Sequence, residues 1–153
     1  MQKIHWLLCA ASDKLNVPYT MFAVPDLSAG APVGALQLGV YSKGHSGLQW
    51  ITVPGAGTYC SQVMRERRQI TVVSSPLGTF SAFSDALKTE PLTAYLGTPI
   101  PAMTGGAIGA LSVLHSGPRI WSEENRMDAT SIAQWLGREL APPGMQEQQA
   151  TAW

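Results

Sequence analysis

Two cysteines, three histidines, a run of arginines and scattered carboxylates are the side chains with chemical reach in this sequence. Their spacing decides what they can do. Cys9 and Cys60 form neither a disulfide framework nor a CxxC metal pair, and read as free thiols of a reducing compartment. Cys60 opens an expected helix, where the dipole would lower a thiol pKa. A nucleophilic role further requires exposure beside a base, and the sequence places no base there, so a structural cysteine is expected. Disulfide-exchange chemistry needs a resolving thiol within reach, and Cys9 lies in a different element. His5, His45 and His115 fall in three separate elements without metal-ligand spacing. The Arg-Glu-Arg-Arg run at 65–68 suits a solvated helix end. Gly55 and Gly57 have G-x-G spacing but no βαβ context and no following Lys-Ser/Thr, which makes them a loop. Asp13, Asp26, Asp85 and Asp128 fall in caps, turns or helix surface. No Ser-His-Asp arrangement is assembled, so neither catalysis nor a metal site is expected of this chain alone.

The bulk of the chain has to position whatever site there is. Its 153 residues are 45% hydrophobic and 13% charged, enough to build one sizeable core. Ten basic and ten acidic residues cancel. That balance argues against a protein that grips a nucleic-acid backbone, while leaving room for a small anion in a local pocket. Nothing approaches the ~18 uninterrupted apolar residues of a membrane span. A soluble, cytoplasmic protein is the expectation.

Periodicity supplies the elements. Ile4, Leu7, Leu8, Ala11 and Leu15 recur at helical spacing, and Pro18 ends that helix. YTMFAV and ALQLGVYSK read as a hairpin, and LQWITV as a further extended piece. TYCSQVMRERR reads as a short helix capped by Thr58 or Ser61. QITVVSS then reads as the clearest strand of the middle, followed from Pro76 to Pro91 by a loop with one helical turn around SDALK. LTAYLGTPIPAM and AIGALSVLH form an antiparallel pair about a Thr-Gly-Gly turn, where Gly105 and Gly106 permit positive φ. Gly109 leaves room for a close neighbour. Leu111 and Val113 point to one face, and Ile108, Ala110 and Leu114 to the other, as in a central strand covered on both sides. Ser122 caps the last helix, whose buried stripe is read as Ile132, Trp135, Leu136 and Leu140 with Met127. Strands outnumber crossover helices, so an antiparallel sheet is expected, with the terminal helices on one face and the irregular middle segment over a pocket on the other.

YLGTPI, IGALSVLHSGPRIWSEEN and IAQWLGREL, in that order, resemble the C-terminal half of a GAF domain, and TYCSQVMRERRQITVVSS resembles its short helix and following strand. The resemblance implies an α+β, profilin-like fold, with residues 1–141 as a single domain and 142–153 as a flexible tail or connector. It implies a non-enzymatic sensory module that binds a small molecule and signals through dimer helices. The output would be a histidine kinase, a diguanylate cyclase or another partner, in a two-component or similar system. By position in the family, the pocket residues are Tyr59, Cys60, Val63, Phe80, Phe83, Leu87 and Tyr95. The ligand and any cofactor stay unidentified, since GAF ligands include cyclic nucleotides, bilins, haem and metabolites. Bilin-binding branches attach the chromophore at a Cys followed by His, whereas Ser61 follows Cys60. The free methionine-(R)-sulfoxide reductases of the family use clustered cysteines that this chain lacks. A ligand-free module that only dimerises is the alternative, and Trp6 and Trp135 are candidates for the helix interface.

Overall fold

The computed structural model describes residues 2–75 and 91–140. Along the chain run α1 (Gln2–Leu15), β1 (Tyr19–Pro25), β2 (Ala35–Ser42), β3 (Gln49–Pro54), α2 (Tyr59–Glu66), β4 (Ile70–Val72), β5 (Ala94–Pro101), β6 (Ala107–His115) and α3 (Glu123–Leu140). The six strands form one sheet in the order β3-β2-β1-β6-β5-β4, and every neighbouring pair is antiparallel. The fold is thus the expected α+β arrangement. The helical turn expected around residues 84–88 and the tail expected at 142–153 lie outside the described residues.

Strand β6 occupies the middle because its residues can be buried on both sides. Leu111 and Val113 join Phe22, Leu96 and the buried stripes of α1 and α3, while Ala110 and Leu114 join a second cluster under α2. The α1 stripe, Ile4, Leu7, Leu8, Ala11 and Leu15, is buried as its spacing requires. The helix stops where Asn16 takes φ 53°, and Ser12 Oγ donates to the Val17 carbonyl at 2.6 Å. A short polar side chain makes Asn one of the few non-glycine residues suited to that region. At the β5–β6 turn, Gly105 and Gly106 take φ 97° and 76°. A Cβ on Gly109 would run into the Ala23 carbonyl of β1, so the close approach expected there is real.

Three readings of the sequence need correction. Ile108 does not share a face with Ala110 and Leu114. Ile100 pairs with Gly109 and Pro101 with Ala107, so Ile108 is the extra residue of a bulge and packs on the terminal-helix side. The strand read over 69–75 shortens to Ile70–Val72, because the chain bends after it and the Val73 carbonyl accepts the Arg119 N–H at 2.9 Å. On α3 the buried residues are Ala129, Ile132, Ala133, Leu136 and Gly137. Met127 and Trp135 are 63% and 54% exposed, and neither they nor the 70%-exposed Trp6 belong to the core. Trp135 sits roughly 130° round the helix from the stripe's centre, at 100° per residue. The Arg138 guanidinium lies over its ring, 4.8 Å from the centroid.

Ser122 caps α3 as expected. Its hydroxyl accepts the Asn125 N–H at 3.0 Å, and Asn125 Oδ1 accepts the Ser122 N–H at 3.1 Å, a reciprocal capping arrangement. Among the described residues no helix is long and apolar enough to cross a membrane.

Candidate functional site

The sheet face opposite α1 and α3 is covered by α2, an eight-residue helix held at both ends. At its start Thr58 Oγ1 accepts the Ser61 N–H at 3.2 Å. The Gly55 carbonyl accepts from Thr58 Oγ1 at 2.8 Å and from Ser61 Oγ at 2.7 Å. Thr58 is therefore the cap, and the Gly-Ala-Gly loop serves as its anchor. At the other end Arg67 takes the left-handed conformation, φ 54° and ψ 36°, and its N–H reaches the Val63 carbonyl. A residue with a Cβ is unfavourable there, so the turn is set by what precedes and follows it.

Cys60 and Val63 lie one turn apart on the buried side of α2 and meet Tyr95 of β5 together with Ala110 and Leu114 of β6. Cys60, Val63 and Tyr95 are buried, and Tyr59 is half-buried at the edge of the cluster. The Tyr59 and Tyr95 rings stack with centroids 5.2 Å apart and planes 28° from parallel. Tyr59 Oη also lies 3.4 Å from Ser75 Oγ. Four of the residues proposed from the sequence thus stand together. The other three, Phe80, Phe83 and Leu87, lie outside the described residues.

Inside this apolar cluster is a closed polar knot. Tyr95 Oη and Ser112 Oγ are 2.8 Å apart, Cys60 Sγ and Ser112 Oγ are 3.5 Å apart, and Tyr95 Oη donates to Cys60 Sγ at 3.7 Å. Each member carries a donor and an acceptor, so each can bond to both of the others. The knot depends on Gly97, which pairs with Ser112 across the strands. A Cβ at Gly97 would collide with the Tyr95 ring, so its absence lets the phenol lie along β5 and reach Ser112.

Burial sets the protonation of this site. It pushes the Cys60 thiol above its ordinary 9.0, against the lowering effect of the bonds from Ser112 and Tyr95. It pushes the Tyr95 phenol well above 10.0, with the neighbouring thiol adding to the shift. A helix start can lower a thiol pKa, but here burial raises it, as fits the structural role expected for Cys60. Desolvation of a thiolate in an apolar cluster outweighs a short helix's dipole.

The remaining sequence candidates are dispersed. Cys9 belongs to the terminal-helix side of the sheet and its thiol donates to Tyr41 Oη at 3.4 Å, so the two cysteines are separated by the sheet itself. Residues 65–68 are exposed, with the Arg68 guanidinium paired to Glu66 at 2.8 Å. His115 Nδ1 lies 3.5 Å from the Gly117 carbonyl, a contact within the turn. Among the described residues no three His, Cys, Asp or Glu side chains gather as a metal site. Ser112 was missed in the sequence. Its signal was a lone hydroxyl at an inward position of an otherwise apolar strand, AIGALSVLH.

A concavity lies on the outer side of the terminal helices. It holds about 460 Å³ and is lined by Gln2, Lys3, Trp6, Leu7, Trp135 and Glu139, with Lys3 Nζ 4.0 Å from the Glu139 carboxylate.

Comparison with known proteins places this geometry. A family model described as the GAF domain matches residues 7–140. The GAF domain of a phosphoenolpyruvate-protein phosphotransferase from Coxiella burnetii superposes with a TM-score of 0.71 at 15% identity, over 99% of this chain and 86% of that one. The GAF domain of a two-component sensor histidine kinase from Bacillus halodurans gives 0.60 at 18% identity, over 90% and 92%. A type II free methionine-R-sulfoxide reductase from Thermoplasma acidophilum gives 0.61 at 14% identity, over 88% and 87%. At such identities these likenesses are of fold alone. No curated protein matches the sequence.

Proposed function

Because this chain belongs to the GAF domain family, we propose that it is a regulatory module that binds a small molecule on the α2 face of its sheet. Tyr59, Cys60, Val63 and Tyr95 border the ligand, joined by Phe80, Phe83 and Leu87 from their positions in the sequence. The carrying observation is the Tyr59–Tyr95 stack, in which the half-buried Tyr59 ring at the edge of an apolar cluster covers the buried Tyr95 ring, on a short helix held at both ends. A few directed hydroxyls in an apolar wall are what small-molecule sites usually offer. The described wall is neutral, which suits an uncharged, partly aromatic ligand. The module works as a cytoplasmic homodimer whose terminal helices pass the bound state to a kinase, cyclase or other output, by favouring one arrangement over another.

The reading is of a non-catalytic module. One neighbour of the same fold is a free methionine-R-sulfoxide reductase. Here Cys9 and Cys60 lie on opposite sides of the sheet, and burial keeps Cys60 protonated. That separation supports assigning no resolving pair to them.

A thermal-shift screen of cyclic nucleotides, bilins, haem and small neutral aromatics tests the proposal. A true ligand at about a hundred times its Kd adds about 2.7 kcal/mol of stability, and Tyr59→Ala abolishes the shift. No shift across the panel, with a dimer that persists, would favour the second reading of a ligand-free dimerisation module. The observation behind that reading is the apolar concavity between Trp6 and Trp135.

A further inference from the structure

The α2 face and the α3 face are separated by a continuous sheet, so a change at one must travel through the sheet or round its edge. We propose that β4 is the coupling element, and that movement of α2 reaches α3 round this edge. The purpose of such coupling rests on the sensory reading above; the coupling itself does not require a ligand.

Three observations carry it. First, α2 passes into β4 through residues 67–69 alone, starting with the left-handed Arg67, so the helix cannot shift without loading the strand. Second, β4 faces both ways. Ile70 belongs to the cluster under α2, while Gln69, the residue just before the strand, faces the other side. There Gln69 Nε2 donates to Thr98 Oγ1 and to the Arg126 carbonyl, both at 2.9 Å, with Thr130 Oγ1 at 3.4 Å. One amide therefore ties the strand to β5 and to the first turns of α3. Third, the far end of β4 is tied to the approach of the same helix. The Val72 carbonyl accepts Trp121 Nε1–H at 3.2 Å, and the Val73 carbonyl accepts the Arg119 N–H at 2.9 Å. Arg119 Nη1 then donates to the Asn16 carbonyl at 3.0 Å, bringing in the end of α1.

The route through the sheet is the stiffer one. Strands β1, β5 and β6 carry long ladders on their shared edges, and displacing any of them breaks several backbone hydrogen bonds at once. Among the described residues β4 pairs with β5 alone, over three residues, so its displacement breaks the shortest ladder of the sheet. Local opening is drawn from such weakly tied units.

Amide hydrogen exchange on the full chain, without ligand, tests the coupling. Val63→Ala loosens α2, and exchange in residues 123–130 should then rise about fivefold or more relative to β2, which serves as the internal reference for global stability. In a Gln69→Ala background, adding Val63→Ala should leave those α3 rates within about twofold of the Gln69→Ala protein. If Val63→Ala fails to fold, Tyr59→Ala provides the same perturbation from the edge of the cluster. An α3 response of equal size with and without Gln69, or none in either background, overturns the proposal. Since no ligand enters the experiment, its failure leaves the binding assignment standing, and a failed ligand screen leaves the coupling standing.

Discussion

The two faces of the sheet are built from the same strands yet closed by different means. On one face a fourteen-residue and an eighteen-residue helix lay long apolar stripes across Phe22, Leu96, Leu111 and Val113. On the other, an eight-residue helix inserts Cys60 and Val63, and the buried Tyr95, Ser112 and thiol satisfy one another. Apolar packing by long elements gives a framework whose buried stripes are harder to open than a short helix. A short helix over a polar knot gives a unit that can rearrange while the framework stays. This difference suits the terminal-helix face to stability and the α2 face to the ligand response proposed for it.

The largest effect expected from breaking that comparison is on the framework. Leu136 is fully buried between α3 and the sheet, and Leu136→Ala should lower the urea-derived unfolding free energy by about 3 kcal/mol. Gly97→Ala attacks the other face, forcing Tyr95 off Ser112, and should cost about 2 kcal/mol through overpacking. Combining it with Tyr95→Leu should recover part of that loss in the same assay, since the clash is with the ring.

A pH titration of stability sharpens the comparison further. Cys60 and Tyr95 stay protonated in the folded protein above their ordinary values of 9.0 and 10.0. The unfolded chain therefore loses protons first, so the contribution of these two groups is constant below about 8 and falls as pH rises past about 9. Tyr41, on the terminal-helix side, is also raised, mainly by its bond with Cys9. Cys60→Ala with Tyr95→Phe should remove more of the alkaline fall than Tyr41→Phe does. The smallest effect is expected at Trp135, whose exposed ring contributes little to the core. Trp135→Ala should change the unfolding free energy by less than about 0.5 kcal/mol, while weakening self-association measured by sedimentation.

Much of this fold was legible because burial follows period. The α1 stripe, the two-faced β6, the Thr58 and Ser122 caps and the Gly-Gly turn each follow from residue type and spacing. Two of the failures depend on partners distant in the chain, and the third on helical phase. Ile108 changes face because of how β5 pairs with β6, and nothing in AIGALSVLH marks the bulge. Strand β4 ends early because Arg119 takes the Val73 carbonyl. Trp135 was placed in the core by its hydrophobicity, although the helical phase of its neighbours carries it outward. At the site, Tyr59, Cys60, Val63 and Tyr95 came from family position. Ser112 was marked only by its lone hydroxyl, and the part played by Gly97 emerges from the cross-strand register.

The account is tested most directly by following a ligand from the thermal-shift screen onto the protein by NMR. Chemical-shift changes should concentrate at Tyr59, Cys60, Val63 and Tyr95 and extend weakly through Gln69 to the first turns of α3. Changes confined to the concavity at Trp6 and Trp135, with the α2 face silent, would contradict it.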